Sequence, residues 1–235
     1  MRATLITFFL ALSIISGCAS KFSSGGEDLD YLKDLQRNEP KTDSKPLLPL
    51  YPGNYWEMTA ISEKNKTKDK IEVVGPIQIA GQNGLLVKIL RNGSLWRQEV
   101  YRNDSTGIWL MAFGEKQTDL LQLDPPMRLL ASSFHEGDEG NWKGNILFKT
   151  KRYEATGYCR ITSQETLQTQ MGRFQTYKID SVISMVRPND IPLHFPAIRW
   201  LSRDIGFIQR SYADGGRPAV QNLERYMVRG KLNNE

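Results

Sequence analysis

The chain has 235 residues, 40% of them hydrophobic and 24% charged, with 5 Trp, 9 Tyr and 9 Phe. That is enough apolar material to bury a core, which excludes wholesale disorder, and the length suits one domain or two small ones. Two cysteines exclude a disulfide scaffold and a cysteine-ligated zinc site, while the formal charge of +5 is only a modest basic excess.

Residues 1–18 read MRATLITFFLALSIISGC. Arg2 precedes an uncharged, mostly apolar run over residues 3–16, which as a helix spans roughly 21 Å. That falls short of the roughly 30 Å hydrocarbon core, so the run reads as a secretory signal and not as a permanent span. Its end, Ile15-Ser16-Gly17-Cys18, resembles the bacterial lipobox: an aliphatic residue, two small ones, then the cysteine. The resemblance implies diacylglycerol on the Cys18 sulfur, cleavage before Cys18 and acylation of the new amino terminus. Residues 1–17 are then a lipoprotein signal peptide, and Cys18 ties the protein to a membrane. Several acyl chains anchor far more firmly than one. Ala19 stands where inner-membrane lipoproteins of Gram-negative bacteria carry Asp, which implies the periplasmic face of the outer membrane.

Residues 18–46 form the lipidated cysteine and a flexible tether, polar and rich in breakers such as Gly25-Gly26, Pro40 and Pro46. Leu29, Tyr31, Leu32 and Leu35 make an amphipathic turn or two at most, too short to be stable alone. As a coil the segment reaches roughly 30 Å. Its charges nearly cancel, so the +5 belongs to residues 47–235, a β-rich periplasmic domain. A basic excess of that size favours anionic surfaces or is simply a solvated mixed-charge exterior.

Within the domain, short runs of aliphatic, β-branched and aromatic residues alternate with turn pairs. Residues 77–80 lead through Gly81-Gln82-Asn83-Gly84 into 85–91 (LLVKILR), which meets 95–101 (LWRQEVY) across Asn92-Gly93, a strong hairpin signal. The run 107–113 (GIWLMAF) follows, then 146–162, long enough for a bent strand or a hairpin. In 174–186, alternation puts Tyr177, Ile179, Ile183 and Met185 on one face. Residues 206–212 and 220–228 flank Asp214-Gly215-Gly216, a terminal hairpin. The expectation is a mostly β fold of about nine to eleven strands in one curved antiparallel meander, half-barrel or barrel-like, with few or no long helices.

Catalytic signatures are missing: there is no Gly-x-Ser-x-Gly, His-Glu-x-x-His, phosphate loop or dinucleotide fingerprint. The expectation is no catalytic residue, no metal, no cofactor and no nucleic-acid partner. His135 opens a loop with Glu136, Asp138, Glu139 and Asn141, oxygen-rich enough to suggest calcium but matching no complete calcium pattern, so it reads as a solvated turn. His194 reads as a loop residue. Cys159, left alone once Cys18 is acylated, reads as a buried free thiol; as a nucleophile it would need His135 or His194 as base. Trp56, Trp96, Trp109 and Trp200 are the candidate ligand-binding residues, either lining a concave sheet face or, with Trp142, filling the core.

Four stretches resemble an uncharacterised family of secreted bacterial β-rich domains. Pro52-Gly53-Asn54-Tyr55-Trp56 is similar to its PxGNxW start, and Gly137-Asp138-Glu139-Gly140-Asn141-Trp142 to its GDxW element after a proline-rich stretch. Met171-Gly172-Arg173-Phe174-Gln175-Thr176-Tyr177-Lys178-Ile179 is similar to AGxFxxYKI, and 200–208 to the closing WxxxGxGxV, without its first glycine. The resemblance implies a curved antiparallel sheet like the half-barrels of periplasmic lipoprotein carriers and receptors, and no catalytic residue. Together these readings describe a membrane-anchored, non-catalytic binding or accessory module that holds an apolar ligand or a lipoprotein on a concave sheet face. The alternatives are a structural partner in an envelope complex, acting through its tether and sheet edges, and an envelope hydrolase with convergent carboxylates. Its partners would be the membrane through Cys18 and a lipid, lipoprotein or envelope protein.

The anchor is directly testable. Cys18→Ala is expected to abolish labelling by radioactive palmitate and to move the protein out of the membrane fraction. A Cys18→Ala protein that still incorporates palmitate contradicts the lipobox reading.

Overall fold

The computed structural model describes residues 46–63, 65–115, 117–186, 192–214 and 217–229; the signal, Cys18 and residues 19–45 lie outside them. The strands in chain order are β1 (Tyr55–Ile61), β2 (Lys66–Ile79), β3 (Gln82–Arg91), β4 (Ser94–Asp104), β5 (Gly107–Gly114) and β6 (Leu121–Ala131). They continue as β7 (Glu139–Phe148), β8 (Lys151–Thr169), β9 (Gly172–Met185), β10 (Leu193–Ser202), β11 (Gly206–Asp214) and β12 (Arg217–Met227). One 3-10 turn, Gln117–Asp119, precedes β6. Every strand pairs antiparallel with its chain neighbour, and β1 pairs with β12, so the meander closes into a barrel.

Among the described residues the count is twelve, above the expected nine to eleven. Residues 146–162 turn at Lys149-Thr150 and so fall in two strands, β7 and β8. Strands β6 and β10 carry Pro125, Pro126 and Pro196, residues that read as breakers in a sequence. The expected hairpin across Asn92-Gly93 is present, with both residues at positive φ (49° and 83°).

Alternation sorts each strand into an inward and an outward face. Tyr177, Ile179, Ile183 and Met185 of β9 point inward, as the period of two suggests. Across β2, β3 and β4 the registers place Ile71, Val73, Val87 and Ile89 on the same inward face as Arg97, Glu99 and Tyr101. A smaller cluster of Ile79, Leu86, Val100, Met111, Ala112 and Leu120 is buried on the outer face of β2–β5.

One end of the barrel is sealed by the segment that leads into it. Leu47, Leu48 and Leu50 are buried in the main core. The segment is pinned by Asp204 N donating to Pro46 O (2.8 Å) and by Asn54 Nδ2 donating to Pro49 O (2.9 Å). Beside it, Trp56 Nε1 donates to Ile205 O and the indole meets Phe207 edge-on at 5.2 Å. Gly206, at φ +85°, makes this possible: a Cβ there would lie 2.8 Å from the Trp56 ring and 3.2 Å from Leu48.

The ladder is weakest between β6 and β7, where only Gln122, Leu123 and Asp124 pair, with Leu147, Ile146 and Asn145. Pro125 and Pro126 offer no N–H to continue it. The rest of β6 turns inward across β7 and β8: Trp142 Nε1 donates to Pro125 O (2.9 Å) and Cys159 Sγ donates to Leu129 O (2.9 Å). Met127, fully buried, lies against Gly157.

Leu48→Ala removes the centre of the seal, and the barrel is expected to lose about 2–5 kcal/mol. The midpoint of urea unfolding measures this. A shift no larger than that of a surface substitution contradicts the sealing role.

Candidate binding cup

Strand β11 begins at the sealed end with Gly206 and runs to the opposite end, where Ala213 lines an open cavity of about 520 Å³. The cavity is a cup formed by the strand termini at this end. Trp96, Phe113, Leu121, Phe148, Tyr153, Met185, Leu193 and Phe195 line it together with Arg97, which reaches inward to Glu99, and with Glu115, Asp119 and Lys149. Phe113 and Phe195 meet edge-on at 5.1 Å, and the Arg97 guanidinium lies over Phe113 at 5.2 Å. Trp96 stacks on Tyr212 at 4.8 Å, with the Arg91 guanidinium 3.9 Å from its ring centre. Small-molecule sites usually enclose roughly 300–1,000 Å³ between mostly apolar walls with a few polar groups, and the cup has that character.

Beneath the cup the barrel interior carries an ionic layer. Glu99, 1% exposed, accepts from Arg210 Nη2 (2.7 Å) and Arg97 Nε (3.1 Å) on one oxygen and from the Tyr101 hydroxyl on the other. Arg199 donates to Ser181 Oγ (2.9 Å). Asp69 forms a second group with Arg91 (3.2 Å) and Gln221 Nε2 (2.6 Å). Burial works to raise the Glu99 pKa, but Arg210, Arg97 and Arg199 outweigh it and hold the carboxyl well below its ordinary range. Burial first, and then Glu99, push the Tyr101 hydroxyl up to about 12, so it keeps its proton as the donor to Glu99.

The four candidate tryptophans do not share a face. Trp56 is fully buried at the sealed end, and only Trp96 lines the cup. Trp109 lies outside the barrel between the guanidiniums of Arg102 (5.0 Å) and Arg128 (5.7 Å), with its Nε1 donating to Thr106 Oγ1 (3.2 Å). Trp200 faces outward as well, donating to Glu165 Oε1 (2.6 Å) beneath Lys178. Trp142 is an inward core residue. Cys159 is buried at 4% exposure, and burial pushes its thiol up to about 12, which suits an inert apolar side chain and not a nucleophile. The His135 ring is exposed near Asp138, and His194 Nδ1 pairs with Ser184 Oγ (2.8 Å) on the outer surface. Among the described residues no three metal-ligating side chains cluster, the 136–141 loop included.

Sequence reading missed the ionic layer. Its one legible signal is the alternation in LWRQEVY, which sets Arg97, Glu99 and Tyr101 on a single face; Arg199 and Arg210 carry no such local mark.

No protein-family model matches the chain, and no curated protein sequence matches it. Among solved structures it is similar to a candidate lipoprotein from Parabacteroides distasonis, at 12% identity over 79% of this chain and 100% of that one, with a TM-score of 0.45. A candidate exported protein with a YmcC-like fold from Bacteroides fragilis is 14% identical over 77% of this chain and 98% of that one, at TM-score 0.44. The hypothetical lipoprotein YmcC of Escherichia coli is 13% identical over 86% of this chain and 97% of that one, at TM-score 0.40. Likeness at these scores assigns neither family nor function.

Glu99→Gln leaves buried arginines without their carboxylate and is expected to cost about 3–5 kcal/mol at neutral pH. Because the folded-state pKa of Glu99 is depressed, its contribution is full above the ordinary carboxylate range and is lost as pH falls toward the folded value. Denaturant titrations from pH 7 downward should therefore show a shallower acid slope in Glu99→Gln than in the parent protein. Equal slopes contradict the assignment.

Proposed function

We propose that this protein is a lipid-anchored envelope lipoprotein of the outer membrane's periplasmic face, and that its barrel is a non-catalytic binding module. The ligand is apolar and sits in the cup. The observation that carries this reading is the asymmetry of the barrel: three leucines close one end, while the other remains an aromatic-walled cavity of about 520 Å³. Core-filling aromatics would leave no such space in a close-packed interior.

The anchoring side of the proposal rests on Ile15-Ser16-Gly17-Cys18. The tether joins the barrel at Pro46, beside Asp204 at the sealed end. The cup therefore opens at the end away from the attachment point, where a ligand can reach it without passing between barrel and membrane. A structural partner acting through sheet edges is less well supported, because the pairing of β1 with β12 removes the two outermost edges that a meander offers.

Native mass spectrometry and solvent extraction of the purified protein should recover a co-purifying lipid. Adding a long-chain lipid to delipidated protein should shift the tryptophan emission to the blue, and Trp96→Phe should remove most of that shift. The reading fails if the protein carries no lipid and its emission does not move.

A further inference from the structure

The floor of the cup holds more positive charge than the protein neutralises. Arg97, Arg199 and Arg210 gather around Glu99, three guanidiniums against one carboxylate, while Arg91 is matched by Asp69. Tyr101 keeps its proton and adds no negative charge. The layer therefore bears an excess of two positive charges inside a protein, where an uncompensated ion is costly.

Hydrogen bonding here is also incomplete: Arg199 Nε and Arg210 Nη1 are buried without an acceptor, and Gln221 Oε1 and Asp180 Oδ1 without a donor. Arg210, 5% exposed, shares a Glu99 oxygen with Arg97. Arg97 alone of the three lines the cup, with 23% of its side chain exposed, and among the described residues its one hydrogen bond is from Nε to Glu99. At the rim Lys149 is matched by Asp119 (3.3 Å), and Glu115 is exposed. The electrostatic demand thus lies at the bottom of the cavity, below apolar walls.

We propose that the cup takes a single-chain amphiphile with a carboxylate head, bound head-down, with the carboxylate accepting from the terminal nitrogens of Arg97 and the tail against Phe113, Phe195 and Trp96. This rests on the reading of the cup as an apolar-ligand site. A planar guanidinium fork matches the two oxygens of a carboxylate, and Arg199 and Arg210 behind it supply the positive field that favours an anion there. The arrangement also gives the buried cations a reason to persist, since the ligand supplies the missing charge.

The test uses the chain from residue 18 onward with Cys18→Ser, so that no acyl anchor competes. Dodecanoate, dodecanol and dodecyl phosphate, each below its micellar concentration, are titrated against tryptophan emission. Dodecanoate is expected to bind about tenfold or more tighter than dodecanol, as a charge-assisted hydrogen bond requires. Arg97→Gln should abolish that preference, bringing dodecanoate to the affinity of dodecanol. Equal affinity for dodecanoate and dodecanol overturns the anionic head and leaves the apolar cup standing. Tighter binding of dodecyl phosphate than of dodecanoate overturns the carboxylate. Binding of none of the three overturns both this inference and the cup itself. Should Arg97→Gln fail to fold, the order of the three probes on the parent sequence decides alone.

Discussion

The pairing of β1 with β12, residues at opposite ends of the folded chain, sets the problem that the rest of the molecule answers. A closed barrel has no lateral edges to protect, but its width grows with the number of strands. About eight strands enclose a space that inward side chains can fill. Twelve enclose more. The surplus is filled here by three means: the leucine segment 47–50 at one end, the half of β6 that folds inward across β7 and β8, and long side chains that span the middle. The cup is the portion of the lumen left over, and its position follows from where the filling stops.

The ionic layer is part of that filling. Arginine and tyrosine are long enough to reach across a wide barrel, where leucine or valine would leave voids. The cost is desolvation of charge, and Glu99 offsets part of it by accepting from two guanidiniums and a hydroxyl at once. A purely structural role would be served as well by apolar residues of similar volume. Two arginines share one carboxylate here, with Arg199 on Ser181 nearby, directly beneath an open cavity.

Much of the fold was legible because its signals are local. Asn92-Gly93 marks a hairpin by the φ values it tolerates, and the alternation in 174–186 identifies an inward face without reference to any partner. The site was far less legible. Period-two counting fails wherever the ladder slips, and it slips at several places that matter. Between Ile89 and Leu90 the register with β4 shifts so that Trp96 has no opposite partner, which lets Trp96 share the cup with Arg97, its neighbour in sequence. Another shift lies between Trp200 and Leu201, where Leu201 is buried and Trp200 is turned outward. Four tryptophans that look equivalent in a list are thus sent to the seal, the cup and two separate places on the outer surface.

By itself, the sequence determined the class of fold, through short alternating strands joined by tight turns, while the lipobox-like cysteine and the polar stretch after it lie outside the described residues. Each is a property of neighbouring residues and needs no knowledge of what lies across the sheet. Closure, the seal, the inward fold of β6 and the meeting of Arg97 and Arg210 on Glu99 were decided only by the tertiary structure. The inward fold of β6 depends on contacts 17 and 30 positions apart, and the others on contacts between residues a hundred or more apart, such as Glu99 with Arg210. No local pattern encodes such a pair, because the desolvation that makes each charge need the other arises only once the barrel has closed.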